Sequence, residues 1–361
     1  MKKIPVIISI LIVFSGCVIH KAEFSGVPFE KNPSLENTRF TQEWSDSLTH
    51  FLKNNLATTR MLILQNGKIL YKYGNIKEVS YIASCRKSVL SILYGKYAEN
   101  GTIDLQQTIG ELGIDEKDGL LPREKEATVN DIITARSGVF HIAANEGYDK
   151  KNILKRGSVK HGEYFVYNNW DFNVAGYIFE KKTGHSIYEE IEEQLAKPLG
   201  FQDWNIKNQH KKYGKQKSQY PAYHIYLSTR DMAKIGQLML NNGNRNGKQI
   251  VSKDWIKKIT TTVTPVDTVN KRYGRDRLSP FQFSYGYMWW IVDNIKHDPV
   301  FEGAYSATGY GGQFITVIPK LNMVVAHKTK LGLLNYLGLK YDVGDRQYWN
   351  LLYRYIGATK E

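Results

Sequence analysis

Residues 84–93 read Ser-Cys-Arg-Lys-Ser-Val-Leu-Ser-Ile-Leu and open a stretch with a helical pattern. Apolar side chains recur with helical spacing after them, at Val89, Ile92, Leu93 and Tyr97. Gly101 follows at a position where helices commonly end. The pattern therefore predicts a helix from Ser84 to about Asn100 that carries Ser84 and Lys87 on one face.

Ser84 and Lys87 form the only Ser-x-x-Lys in the chain. At the start of a helix the two side chains are close enough to touch, and the helix N-terminus favours negative charge that develops nearby. A lysine acts as a base only when its neutral form is populated, which burial and a neighbouring cation such as Arg86 both promote. The pair is a candidate nucleophile and base, although the string alone is also typical of an ordinary helix start.

Strand patterns lie on both sides of this helix in the chain. Residues 61–64 and 68–71 flank Asn66-Gly67, which is a strong hairpin signal, and a helical face precedes them at Trp44, Leu48 and Leu52. After about Phe283 strand patterns return at residues 287–292, 300–304, 313–318 and 323–327, before a closing helix at 345–356.

The middle of the chain is mostly helical in pattern, with helices predicted at residues 128–138, 171–182, 186–195 and 229–241. Strands at both ends around a helical middle predict an α+β fold. We expect one antiparallel sheet built from both chain ends and flanked by helices, with a large, mostly helical insertion. The sheet part covers about 38–95 and 281–361, and the helical part covers about 96–280, within one domain at 38–361.

Composition sets limits on the class of protein. The 361 residues are 42% hydrophobic and 23% charged, as in an ordinary globular protein. Two cysteines, Cys17 and Cys85, exclude a disulfide framework and a Cys-rich zinc site. The net charge of +14 favours anionic surroundings, but the basic residues are spread along the chain, so we predict no nucleic-acid partner. The nine histidines lack metal-ligand spacing and no P-loop is present, so we predict no metal and no cofactor.

The N-terminus predicts export. A basic start at residues 1–3 is followed by an apolar run at residues 4–14, which is too short to span a bilayer. Small residues then precede Cys17, as in a bacterial lipoprotein signal, where the cysteine carries the lipid; a plain cleaved signal is the alternative. Residues 1–17 are thus the predicted signal and residues 18–37 a polar tether. The chain is expected to face the periplasm or cell exterior, held to the membrane by its lipid anchor.

Two further segments carry chemistry. Tyr167-Asn168-Asn169 places a phenol and a carboxamide at the start of a helix, where they are suited to proton transfer and substrate binding. Residues 307–313 are rich in small side chains and run into a strand, so a strand edge can approach a substrate and a backbone N–H can face an oxyanion. Lys182-Thr183-Gly184 matches a Lys-Thr-Gly motif literally, but Gly184 is predicted to end a helix there, so we do not count it as a site segment.

In this order and spacing, the three segments resemble the serine β-lactamase-related superfamily. The resemblance covers about residues 60–329 and is closest to the class C β-lactamase, DD-peptidase and esterase branch, which includes the 6-aminohexanoate-dimer hydrolase type. Residues 128–138, with their Ser-Gly end, and residues 227–234 add to the resemblance.

The resemblance implies roles for individual residues. Ser84 would be the acylated nucleophile, Lys87 its activating partner and Tyr167 the acid and base that passes the proton to the leaving group. Asn169, Thr308 and Gly309 would contact the substrate. The backbone N–H groups of Ser84 and Tyr310 would form the oxyanion hole.

The chain departs from this pattern at Ala307, where β-lactamases and many peptidases carry lysine or histidine. The missing cation argues against efficient recognition of a β-lactam or a D-Ala-D-Ala carboxylate. Arg136 and His141 are candidate replacements. Cys85 is expected to be a small buried side chain. Six aromatic residues are candidates for an acyl-group pocket: Trp170, Tyr287, Trp289, Trp290, Tyr305 and Tyr310.

The sequence thus predicts an exported serine hydrolase that acts through an acyl-enzyme on a small ester or amide. One alternative is a peptidoglycan DD-peptidase or weak β-lactamase with a cell-wall peptide as substrate. A second alternative is a relative without catalytic activity that binds the cell wall or a partner protein.

Overall fold

The computed structural model describes residues 27–31, 39–145, 152–274, 279–332 and 342–358. The predicted signal, Cys17 and most of the predicted tether lie outside these residues. Within the described ranges, no helix combines the length and apolar character that crossing a bilayer requires.

A seven-stranded antiparallel sheet forms the centre of the fold, with strand order β2-β1-β13-β12-β11-β10-β9. Its first two strands come from the start of the domain and the other five from its end, which confirms the predicted α+β class. The strands are β1 Arg60–Gln65, β2 Lys68–Tyr73, β9 Phe281–Tyr285, β10 Trp290–Ile295, β11 Tyr305–Gly309, β12 Gln313–Ile318 and β13 Met323–Lys328.

The apolar run at residues 61–64 explains why β1 lies inside the sheet. Met61 and Ile63 pack into one hydrophobic cluster, whereas Leu62 and Leu64 pack into the other. A strand that is buried on both faces needs apolar residues at successive positions, because neighbouring side chains point to opposite faces. The turn to β2 uses Asn66-Gly67 in the left-handed region, with φ of 52° and 75°, which confirms the predicted hairpin.

Helices cover both faces of the sheet. On one face, α1 (Gln42–Asn55) and α11 (Asp345–Ile356) share a cluster with β1 through Leu48, Leu52 and Leu352. On the other face, α2 (Cys85–Glu99) and α8 (Thr229–Leu240) pack against the strands. The remaining helices are α3 Pro122–Lys125, α4 Val129–Ile133, α5 Asn169–Thr183, α6 Ile187–Ile191, α7 Lys197–Leu199, α9 Lys253–Ile259 and α10 Val266–Tyr273, with a π-helical turn at Glu192–Ala196.

The structure also contains six short strands that the sequence pattern did not predict, five of them in the helical insertion. They form three pairs: β3 Ser80–Tyr81 with β6 Tyr226–Leu227, β4 His210–Gly214 with β5 Ser218–His224, and β7 Asn244–Arg245 with β8 Lys248–Gln249. The β3–β6 pair matters for the site, because it connects the segment before Ser84 to the insertion.

Several predicted elements shift in the structure. The strand expected at residues 300–304 is wrong: Asp298 and Pro299 start a 3₁₀ turn, Pro299–Phe301, and β11 begins only at Tyr305. The strand expected from Tyr287 begins at Trp290, because Met288 has a positive φ of 64°. The helix expected to reach Gly138 ends at Ile133, and Ala135 then takes a φ of 59°.

The described part of the predicted tether, residues 27–31, packs on the domain. The N–H of Val27 donates to the carbonyl of Gly200 at 3.1 Å, and the N–H of Ile69 donates to the carbonyl of Glu30 at 2.9 Å. Phe29 contacts the hydrophobic core. Phe29 provides the apolar contact in this docking, whereas the Val27 side chain is exposed and Val27 is held through its backbone.

Candidate active site

Ser84 lies where a strained backbone turn meets a helix. Ala83 has a φ of 50°, which is rare for a residue with a side chain, and Ser84 is the residue directly before α2. The preceding residue, Ile82, donates its N–H to the carbonyl of Ile225 at 3.0 Å, next to the β3–β6 pair. This anchored turn points the half-buried Ser84 into a cleft beside the sheet.

Lys87 lies one helical turn after Ser84 and is almost fully buried. Its Nζ donates to Ser84 Oγ at 3.2 Å and to Asn169 Oδ1 at 2.7 Å. The same nitrogen lies over two aromatic faces, 3.8 Å from the ring centroid of Tyr167 and 4.4 Å from that of Phe172. Ser84 and Lys87 are thus in direct contact, and Asn169 at the start of α5 holds the Lys87 amine.

Tyr167 faces Ser84 from the segment directly before α5. Asn168 caps this helix, since its Oδ1 accepts from the N–H of Trp170 at 3.0 Å and its Nδ2 donates to the carbonyl of Val139 at 2.9 Å. Tyr167 shares a hydrogen bond with Ser84. Burial raises the pKa of the Tyr167 phenol above its usual value, and the bond to Ser84 opposes this shift.

The opposite wall of the cleft is the end of β11 and the turn into β12. Gly309 is required there, because a Cβ would lie 2.7 Å from the carbonyl oxygen of Ile82 and 3.2 Å from the Cβ of Ala83. The strand edge therefore reaches the turn that carries Ser84. Thr308 and the exposed Tyr310 line the cleft beside it.

Two buried side chains hold this turn from behind. Gln313 Nε2 donates to the carbonyls of Gly311 at 3.1 Å and Thr329 at 2.9 Å. His327 Nδ1 lies 2.8 Å from the carbonyl of Gly312, which can only accept, so Nδ1 carries the proton. Burial lowers the pKa of His327 to about 4, so the ring is neutral at ordinary pH.

The cleft has a volume of about 340 Å³. Among the described residues that line it there is no Lys, Arg or His, whereas Asp342 and Asp345 bring two carboxyl groups. The lining residues are Ser84, Tyr167, Trp290, Thr308, Gly309, Tyr310, Gly311, Gly312, Asp342, Val343, Gly344 and Asp345. In the part of the chain that the structure describes, no three His, Cys, Asp or Glu side chains are grouped so as to hold a metal ion.

Several sequence candidates lie elsewhere. Gly184 ends α5 with a φ of 73°, so Lys182-Thr183-Gly184 is a helix end, as predicted. Arg136 donates to the carbonyl of Gly162 and to Thr264, and His141 contacts Asp118 at 2.9 Å; neither lines the cleft, so neither replaces the cation missing at Ala307. Of the six candidate aromatic residues, Trp290 and Tyr310 line the cleft and the other four are buried outside its lining.

Cys85, directly after Ser84, is fully buried. Its Sγ donates to the carbonyls of Gln313 at 3.2 Å and Ala307 at 3.5 Å. Burial raises the pKa of the thiol far above its usual value, so the reactive thiolate is not populated.

Four functional candidates were missed from the sequence: Asn145, Asn173, Asp342 and Asp345. Asn173 follows Asn169 by four residues and so shares its helix face, which is a signal that the sequence did offer. Asn145 and Asp342 reach the site from loops, and no local pattern marks such positions.

Comparison with known proteins agrees with this geometry. The Beta-lactamase family model matches residues 48–332. This chain belongs to the Beta-lactamase family. An uncharacterized protein from Alkalihalophilus pseudofirmus is 23% identical over 264 residues, which cover 68% of this chain and 71% of that protein.

Solved structures of related fold confirm the β-lactamase-like architecture. A Bacillus anthracis protein provisionally named a 6-aminohexanoate-dimer hydrolase has a TM-score of 0.62 at 21% identity, covering 91% of this chain and 88% of that one. A family VIII carboxylesterase also has a TM-score of 0.62, at 14% identity, covering 90% and 97%. An octameric penicillin-binding protein homologue from Pyrococcus abyssi has a TM-score of 0.59 at 19% identity, covering 82% and 77%. The chain therefore has the fold of a serine hydrolase superfamily that includes esterases and penicillin-binding proteins.

Proposed function

We propose that this protein is a serine hydrolase that cleaves a small ester or amide through an acyl-enzyme. The observation that carries the proposal is the position of Lys87 Nζ, in contact with Ser84 Oγ and Asn169 Oδ1 and over the ring of Tyr167. A hydroxyl, an amine and a phenol joined in this way at the wall of a cleft are the parts that nucleophilic catalysis requires.

In the proposed reaction, Ser84 Oγ attacks the substrate carbonyl carbon while its proton passes to the Lys87–Tyr167 pair. The oxyanion is bound by the backbone N–H groups of Ser84 and Tyr310. The C–O or C–N bond then breaks as Tyr167 returns the proton to the leaving group, and an acyl-Ser84 ester remains. Water attacks this ester by the same route in reverse, which releases the acid and restores the Ser84 hydroxyl.

The charges around the cleft support an ester or amide without a carboxylate near the scissile bond. Ala307 is buried, and the described lining contributes two acidic groups and no cation. A carboxylate substrate would meet repulsion there rather than a binding partner. For this reason we place the peptidoglycan DD-peptidase and the β-lactamase behind the esterase or amidase.

We also propose that the protein is exported and held at the membrane by a lipid. A lipid on Cys17 would hold the domain outside the cytoplasmic membrane. Because residues 27–31 pack on the domain, the nine residues between Cys17 and Val27 set the largest distance between lipid and domain, about 30 Å at 3.3–3.6 Å per residue. The lipid would be detected as an added mass on Cys17 that is lost in Cys17→Ala.

The decisive experiment is intact mass measurement of the full-length chain in detergent after treatment with a fluorophosphonate, beside Ser84→Ala. One adduct on the wild type and none on the mutant is expected. No adduct on either would contradict the hydrolase and favour the relative that only binds. A penicillin adduct without ester turnover would favour the peptidase instead.

A further inference from the structure

Arg86 is a buried cation next to Lys87 that the catalytic scheme above leaves unused. Its side chain is 1% exposed, and its guanidinium carbon lies 4.3 Å from the ring centroid of Tyr223. It also shares a hydrogen bond with Tyr81. In the part of the chain that the structure describes, no carboxylate forms an ion pair with Arg86, although burying an unpaired charge is costly.

A chain of amides connects Arg86 to the catalytic lysine. Arg86 Nη2 donates to Asn173 Oδ1 at 3.2 Å, and Asn173 Nδ2 donates to the side-chain Oδ1 of Asn145 at 3.0 Å. Asn169 Nδ2 donates to the backbone carbonyl of Asn145, also at 3.0 Å, and this leaves Asn169 Oδ1 facing Lys87 Nζ. Arginine has only donors, so it fixes which end of the Asn173 amide faces Asn145.

The Arg86 charge also acts on Tyr167. Burial is the largest influence on the Tyr167 pKa and raises it, the bond to Ser84 lowers it, and the positive charge of Arg86 lowers it further. Arg86 on α2 therefore favours negative charge on the Tyr167 phenol. The other groups that face Tyr167 are Lys87 and Phe172 at its ring, Trp290 stacked at 5.7 Å, and Tyr285, Cys85 and Tyr223, whose own ionisation would oppose that of Tyr167.

We propose that Arg86 is a positioning residue for acylation, which orients Asn169 toward Lys87 through Asn173 and Asn145 and places a buried positive charge near the Lys87–Tyr167 pair. Because β11 carries Ala307 and so brings no cation to Tyr167, the positive charge near this tyrosine comes from Arg86 on α2. The inference rests on the proposed hydrolase function.

The test is the pH dependence of fluorophosphonate labelling of the full-length chain in detergent, from pH 5 to pH 10. The Lys87–Tyr167 pair takes the Ser84 proton in the proposed reaction, and removing a nearby positive charge favours the protonated form of this pair. In Arg86→Met the labelling rate should therefore fall at neutral pH, and its rise with pH should move up by about one pH unit or more. Arg86→Lys keeps the charge and should leave the midpoint close to that of the wild type. Asn173→Ala loses the amide chain but keeps the charge, so its rate should fall without a shift in midpoint.

The control is Arg230→Met, which removes an arginine that is paired with Asp203 outside the cleft. It should lower the melting temperature and leave the pH midpoint unchanged. An Arg86→Met rate that is reduced equally at every pH, or that is unchanged, would overturn the proposal. If Arg86→Met does not fold, the other two variants test the proposal. A wild-type labelling rate in Asn173→Ala together with a shifted pH midpoint in Arg86→Lys would then overturn the proposal. Absence of labelling in the wild type would instead contradict the hydrolase function itself.

Discussion

The two walls of the cleft are built in different ways. On the wall formed by α2 and α5, side chains contact one another: Lys87 contacts Ser84, Asn169 and the ring of Tyr167. On the wall formed by the end of β11 and the start of α11, the lining is mainly small residues and backbone, with two carboxyl groups. The first wall thus holds the side chains that we propose to react, and the second presents backbone groups and negative charge to a bound substrate.

We therefore expect the α2–α5 wall to determine the reaction rate and the β11–α11 wall to determine which substrates are preferred. A change on the α2–α5 wall should affect the rate for every substrate, whereas a change in charge on the β11–α11 wall should affect the choice among substrates. The walls meet where Gly309 approaches the turn before Ser84, so a change at that contact should disturb both.

The largest effect is expected from Lys87→Met. The variant loses the amine that contacts Ser84 Oγ, and general acid–base groups contribute about 10²–10⁴-fold to rate. The fall in kcat/KM should be similar for all esters tested and should appear in the fluorophosphonate labelling rate as well.

Lys328→Met is the matched control for that variant. Lys328 is also a fully buried lysine, but its Nζ donates to the carbonyls of Ser80 at 2.9 Å and Leu227 at 2.7 Å, across the β3–β6 pair. It should lose stability to urea and retain most of its labelling rate. Equal rate losses in the two variants would mean that Lys87 acts only through packing.

Gly309→Ala should have the next largest effect. An added Cβ would lie 2.7 Å from the carbonyl oxygen of Ile82, so the two walls must move apart. A misplacement of about 1 Å can cost about 10²-fold in rate, and we expect a loss of that order in kcat. Gly332→Ala, where nothing lies within 4 Å of the added Cβ, should behave as the wild type in the same assay.

Much of the α2–α5 wall could be predicted from sequence because its signals are local. Ser84 and Lys87 lie one turn apart on a helix, and Tyr167 and Asn169 flank the start of another, so short spacing rules apply. The hairpin at Asn66-Gly67 and the closing helix were predictable for the same reason.

The rest depends on contacts between segments far apart in the chain. Val300 and Phe301 are residue types that favour strands, yet Pro299 starts a 3₁₀ turn there and β11 begins later. Asp342 reaches the cleft from a loop, and Asn145 joins Asn169 and Asn173 from another. No periodicity specifies which loop meets which helix.

Removing a charge from the β11–α11 wall should have a smaller effect than the two changes above, and it should act on the choice of substrate. The half-buried Asp342 lines the cleft, so esters that carry an ammonium group should be preferred to matched esters that carry a carboxylate. Asp342→Asn should reduce this preference by about fivefold or less, since partly exposed charges interact by about 1 kcal/mol at most. The measurement is kcat/KM for a matched ester series at low and high salt. A preference for the carboxylate ester in the wild type would contradict this account of the wall.

The smallest effect is expected at the junction of the walls, where Cys85 on α2 contacts the carbonyls of Ala307 and Gln313. Because the thiol is fully buried and burial raises its pKa, iodoacetamide should not label Cys85 in the folded protein. Cys85→Ala leaves a small gap and should lower the free energy of unfolding by about 1 kcal/mol, with a labelling rate at Ser84 within about twofold of the wild type. Rapid alkylation of Cys85 in the native protein, with loss of hydrolysis in step, would show instead that the thiol takes part in the chemistry.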